Sequence, residues 1–262
     1  MNIIQNGPLI TVLFISLISG QIEDFVGSVA CKTCHPDQFE LWENSTHGQA
    51  GGSPADTKIK APFDGKKITL KNGWFIPYKE DGRYFFKAQE NEFPEVKFEI
   101  IGVVGGGHIY GGGTQSFFGL FPDGTMRLLP FDYHPGEKTW FFETNNLSGW
   151  QPASKKLSMR NLSEWPPNRT IGSITEKKNC QQCHGSQIIA GFDNNRGKYK
   201  TLFTELTINC ESCHGPGKEH LTLMQFGKSI VKGYTGIQSL KTLSKKESVK
   251  VCAQCHALKD LI

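Results

Sequence analysis

All eight cysteines of the 262-residue chain fall in four copies of one pattern, Cys-x-x-Cys-His. The copies are Cys31-Lys-Thr-Cys34-His35, Cys180-Gln-Gln-Cys183-His184, Cys210-Glu-Ser-Cys213-His214 and Cys252-Ala-Gln-Cys255-His256, which also take half of the eight histidines. A random chain of this composition would hold roughly 0.007 copies, so chance is excluded. A Cys-x-x-Cys pair alone serves zinc ribbons, redox dithiols and disulfides, and the histidine after every second cysteine decides between them. Two thiols at this spacing can each add to a haem vinyl group, while the next residue holds its imidazole against one face of the iron. His35, His184, His214 and His256 are then the proximal ligands of four covalently bound haems. Two zinc sites of four thiolates each need no histidine at a fixed place after every knuckle. A disulfide framework is unnecessary in a chain long enough to bury a core.

An iron held by one histidine has its sixth position open, and electron-transfer haems close it with a second ligand. Four histidines remain for four haems: His47, His108, His134 and His220. His47 ends a helical segment in "NSTHGQA", and His220 follows His214 beyond the break Gly215-Pro216-Gly217. Neither folds back easily onto the haem whose motif precedes it, so each is expected to reach a neighbouring haem. His108 lies in "GGGHIYGGG", whose glycines let backbone approach a flat cofactor. That stretch lacks the Gly-Lys-Ser/Thr ending of a phosphate loop. His134 stands beside a turn in "FDYHPGEKTW". Met126, Met159 and Met224 are substitutes that would raise the potential of a haem they capped.

The elements that must position these groups divide the chain by composition. Residues 23–60 hold the first motif, residues 61–145 contain no cysteine, residues 146–178 form a linker with Pro152, Pro166 and Pro167, and residues 179–262 crowd three motifs together. In the central block, runs such as "WFIPY", "RYFFKA", "VKFEIIGVV" and "TWFFET" read as strands. Asp64-Gly65, Asn72-Gly73, Asp81-Gly82 and Asp123-Gly124 punctuate them as tight turns. Each motif is expected to open a helix, with Phe39 and Trp42 four and seven residues after His35 on the face that meets the porphyrin. The expected fold class is α+β: short helices and loops around the haems, plus a small antiparallel β insertion.

Covalent haem attachment of this kind takes place outside the cytoplasm, which predicts a periplasmic or otherwise exported protein. Residues 1–22 carry no charged side chain, and "LITVLFISLI" (residues 9–18), followed by Ser19 and Gly20, has the form of a signal-peptide core without a preceding Lys or Arg. It is too short for a firm membrane anchor. The net charge of +4 is cancelled by four ferric haems, each contributing about −1 through its propionates. No basic block of the kind that tracks nucleic acid is present.

At "GSVACKTCHPDQFELWENSTHGQA", "CQQCHGS", "NCESCHGPGKEH" and "VCAQCH" the chain resembles multihaem cytochromes of the cytochrome c-554 type. "VVGGGHIYGGGTQSFFGLFPDGTMRLLPFDYHP" is similar to the β insertion of related periplasmic multihaem chains. The resemblance implies His35, His184, His214 and His256 as proximal ligands, and His47, His220 and His108 as distal ones; it assigns no role to His134. Relatives often continue past the point where this sequence stops. Two functions are implied. One is a carrier passing single electrons between respiratory partners, such as a quinol-side donor, a terminal reductase or another cytochrome. The other is an oxidoreductase for a small nitrogen or sulfur compound, with one haem kept open for substrate. The carrier is preferred on the count of available axial ligands. A haem-bearing interaction module of a larger respiratory complex is a third reading.

Overall fold

A computed structural model describes residues 22–55, 58–106, 113–143, 150–159, 184–225 and 233–257. The expected leader, except Ile22, lies outside them, as do His108, Cys180 and Cys183.

The aromatic runs make strands: β1 (Gly51–Gly52), β2 (Ile68–Leu70), β3 (Gly73–Glu80), β4 (Arg83–Glu90), β5 (Val96–Gly105), β6 (Gln115–Leu120), β7 (Met126–Leu128), β8 (Phe131–His134), β9 (Thr139–Glu143) and β10 (Trp150–Pro152). All ten join one antiparallel sheet in the order β10-β9-β8-β6-β5-β4-β3-β2, with β1 paired to β5 and β7 to β6. Asp81 and Gly82 turn β3 into β4 with φ of 49° and 76°, the left-handed pair that a two-residue hairpin requires.

The sheet curls into a half-barrel because one face carries large rings that must be buried. Phe75, Phe86, Phe117, Phe131 and Phe142 have no solvent exposure and cluster with Trp140 and Phe63. Phe75 stacks on Phe131 at 4.3 Å, and Phe86 meets Trp140 edge-on at 5.6 Å. Each such ring contributes about 1.5–3 kcal/mol on burial.

β6 is buried on both faces. Phe117 points into the aromatic core, while Phe118 packs with Met126, Ile188 and Leu206 on the other side. There a second hairpin, β11 (Ile189–Asp193) and β12 (Lys198–Leu202), meets the β6–β7 turn through Tyr199 N–H to Asp123 O, 2.8 Å. Backbone closeness explains two glycines: a Cβ on Gly102 would lie 2.6 Å from Leu206 Cδ1, and one on Gly51 would lie 2.6 Å from Leu206 O.

Among the described residues the α-helices are short: α1 (Ser28–Lys32), α2 (Pro36–Glu43), α3 (Glu211–His214), α4 (Lys218–Gln225) and α5 (Lys245–His256), of which α1, α3 and α5 hold cysteines of the first, third and fourth motifs. Among the described residues no helix is long and apolar enough to cross a membrane.

The expected α+β molecule, helices and loops around haems with a small β insertion, is therefore corrected. The chain is mostly sheet, with few, short helices, and its apolar core is made by phenylalanines that pack on one another. The fourth motif also closes its helix instead of opening it. A capping box starts α5 upstream: Ser244 Oγ accepts from Glu247 N–H and a Glu247 carboxylate oxygen accepts from Ser244 N–H. In the third motif, Gly215 with φ 76° ends α3 at once.

Candidate functional site

The segment 205–212 packs through Leu206 on β1 and β5 and links the first and third Cys-x-x-Cys-His motifs to the stretch after His184. Trp42 of α2 donates its indole N–H to Ile208 O (2.8 Å), and Thr207 Oγ1 donates to His47 O (2.6 Å). Ser28, at the start of α1, donates from N–H (3.3 Å) and Oγ (2.9 Å) to Glu205. Ser186, two residues after His184, donates to Thr207 O (2.7 Å) and accepts from Asn209 N–H (2.9 Å). Ser28, Ser186, Thr207, Asn209 and Glu211 are all buried, so each needs the partners this network supplies.

On this frame two pairs of imidazoles face each other. The His35 and His220 rings lie 6.3 Å apart between centroids with planes at 23°, and those of His47 and His256 lie 6.1 Å apart at 79°. Between the first pair is a strongly apolar cleft of about 210 Å³, with Ala30, Cys31, Cys34 and His35 on one side and Gly217, His220 and Leu221 on the other. A second cleft, of about 470 Å³, is lined by Cys213 of the third motif and Cys255 of the fourth.

The ring nitrogens are held selectively. His220 Nδ1 lies 2.8 Å from Thr235 O and His214 Nδ1 lies 2.9 Å from Gln238 O. A carbonyl partner accepts a proton from Nδ1, which leaves the Nε2 lone pair for a metal. His134 is arranged the other way. Its Nδ1 accepts the Glu137 N–H at 2.9 Å, so the proton of a neutral ring sits on Nε2.

The six described cysteines are free thiols. Cys31 Sγ donates to Gly27 O at 3.8 Å, and its thiol also interacts with that of Cys210: this interaction, reinforced by burial, pushes the Cys31 thiol far up, and against the opposing effect of burial it draws Cys210 down to about 6. Burial also raises Cys213. The first thiols of motifs one and three therefore sit side by side. Among the described residues no three His, Cys, Asp or Glu side chains converge as a zinc site requires.

Several residues lie elsewhere than expected. Phe39 is buried edge-on against Trp42 at 5.2 Å, and neither ring lines the apolar cleft, because α2 docks on segment 205–212. Met126 and Met159 are sheet-packing residues, whereas Met224 lines the cleft beside His220. Glu205, Glu211, Thr235 and Gln238 were not legible as site residues, since nothing in their spacing distinguishes them from surface polar groups.

The family model for cytochrome c554 and c-prime matches residues 30–70 and 135–215, which flank strands β3 to β8. No curated protein matches the chain. Among solved structures, the outer cell wall cytochrome OcwA is similar with a TM-score of 0.48 and 20% identity over 89% of this chain, and the chain spans 37% of that protein's length. The family match, with the motifs and the facing imidazoles, supports a multihaem c-type cytochrome.

Proposed function

We propose that the chain carries four haems c, attached at Cys31/Cys34, Cys180/Cys183, Cys210/Cys213 and Cys252/Cys255, and passes single electrons between respiratory redox proteins in an exported compartment. The observation that carries this reading is the pairing of imidazoles across motifs. With metal–imidazole nitrogen distances of about 2 Å, two rings on opposite sides of one metal have centroids roughly 6 Å apart. His35 with His220 and His47 with His256 have that separation. The apolar cleft with two thiols and two imidazoles fits a haem in its donor set.

A bound haem supplies iron that gains and loses one electron. The chain supplies the rest. His35 and His220 would hold the first motif's iron, and Thr235 O fixes the His220 tautomer and ring orientation. His256 and His47 hold the fourth, with Thr207 anchoring the His47 backbone. His214 and His184 are the proximal ligands of the third and second motifs, and His108 and His134 are the remaining distal candidates. Ala30 and Leu221 exclude water from the cleft, which limits reorganisation on electron transfer. Cys31 beside Cys210 brings the first and third attachment points together, and Cys213 shares a cleft with Cys255. The partners under this reading are a quinol-side donor and a terminal reductase or another cytochrome.

One observation favours the second function, an oxidoreductase acting on a small nitrogen or sulfur compound. His134 Nδ1 is occupied by the Glu137 amide, so ligation through Nε2 requires that bond to break. An iron without it is open. The test is the absorption and electron paramagnetic resonance spectrum of the oxidised, haem-loaded protein, with carbon monoxide added after reduction. Four low-spin haems that ignore carbon monoxide support the carrier; a high-spin haem that binds it supports the oxidoreductase.

A further inference from the structure

Glu211 occupies the first variable position of the third motif, yet its carboxylate serves a different haem's pocket. It is 2% exposed and accepts backbone N–H groups from a distant segment, Val26–Gly27, and from Gly217 just downstream. Oε1 accepts from Val26 (3.0 Å) and Gly217 (2.7 Å), and Oε2 accepts from Gly27 (2.8 Å) and, at 3.2 Å, Val26. Val26 and Gly27 lead directly into α1, which carries Cys31; Gly217 leads directly into α4, which carries His220. Val26 and Gly217 line the cleft between His35 and His220, while Glu211 itself borders the other cleft beside Cys213 and reaches the first through the amides it holds. Hydrogen bonds from amides to a carboxylate are charge-assisted and short, and shared acceptors hold their donors at a fixed separation.

We propose that Glu211 is the positioning residue for the haem of the first motif: it clamps the attachment wall and the distal-ligand wall at the spacing that two axial imidazoles need. The proposal rests on the reading of His35 and His220 as ligands of one iron. No other residue type suits the place. Aspartate is one methylene shorter, and glutamine would turn an N–H₂ donor towards amide donors. The clamp has no slack at Gly217 either, where a Cβ would lie 3.0 Å from Oε1 and 3.1 Å from Val26 Cγ2.

The test uses the full, haem-loaded chain. His220→Ala first identifies the paramagnetic resonance signal of the His35–His220 haem as the low-spin signal that disappears; if none disappears, the ligand reading fails and the clamp is not at issue. Glu211→Gln is then expected to keep four covalently attached haems by mass, to broaden or shift that same signal with a partial gain of high-spin iron, and to raise that haem's midpoint potential, because a buried negative charge is gone. If the Gln variant does not accumulate, Gly217→Ala carries the test with the same readout. An unchanged signal and potential, or a change confined to the haem on Cys210 and Cys213, would overturn the proposal.

Discussion

The imidazole of His47 faces that of His256 at 6.1 Å, across nearly the whole length of the sequence. If one iron lies between them, His47→Ala converts a single haem from low to high spin while all four remain attached. That haem is the one on Cys252 and Cys255, so in a chain already lacking both cysteines the His47 substitution changes no remaining signal. Paramagnetic resonance of the two variants and of their combination checks this, and a change at the first motif's haem would reject the pairing.

Thr207 holds the loop that presents His47. Its hydroxyl donates to His47 O at 2.6 Å and lies 3.2 Å from Gly48 O. Thr207→Val keeps the shape and removes the donor, which costs about 1 kcal/mol. Denaturant unfolding reads the cost, and the His47 signal should broaden while the signal lost in His220→Ala stays sharp.

Much of this arrangement was legible in the sequence, and its limits have physical causes. The strands were visible because β3, β4 and β5 are aromatic and β-branched, with Asp81-Gly82 marking a turn. Their extent was underestimated: β1 uses two glycines and β10 a proline, residues with no strand signature of their own, and both join through backbone pairing. The Cys-x-x-Cys-His motifs were legible because one fixed spacing recurs four times and takes every cysteine. Their setting was not, because Glu205 and Glu211 act through amides of residues about 180 positions away, and no local pattern encodes such a contact.

Phe86 tests whether the sheet folds on its own rings. It has no exposure and touches Phe63, Phe75, Phe117, Phe131 and Trp140. Phe86→Ala is expected to cost about 3–5 kcal/mol in denaturant unfolding. The haem spectra of the folded variant should match the parent, since the aromatic core lies on the face of β6 opposite Phe118.

The β6–β7 turn gives a pH signature. Partial burial pushes the Asp123 carboxyl up, but hydrogen bonds from the Thr125 hydroxyl (2.6 Å) and amide (3.0 Å), together with Arg127, outweigh it and hold the pKa below the ordinary value. A carboxyl depressed in the folded state stabilises the fold above its unfolded pKa of about 4 and loses that contribution as pH falls through the folded value. Asp123→Asn should therefore lower the Tm at neutral pH, with the gap to the parent closing in acid below about pH 4. A gap that persists unchanged in acid would assign the effect to packing of the β11–β12 hairpin.

The clamp at Glu211 also sets an order of events during biosynthesis. The first motif is synthesised early, but the opposite wall of its cleft is built from Gly217, His220 and Leu221, and the carboxylate that the Val26 and Gly27 amides meet arrives only with Glu211. Under the four-haem reading, haem joined to Cys31 and Cys34 at that stage would be joined to an unfinished site, so recognition would fall to the short motif itself. On the same reading, the pocket completed by Glu211 would then form around a haem already in place.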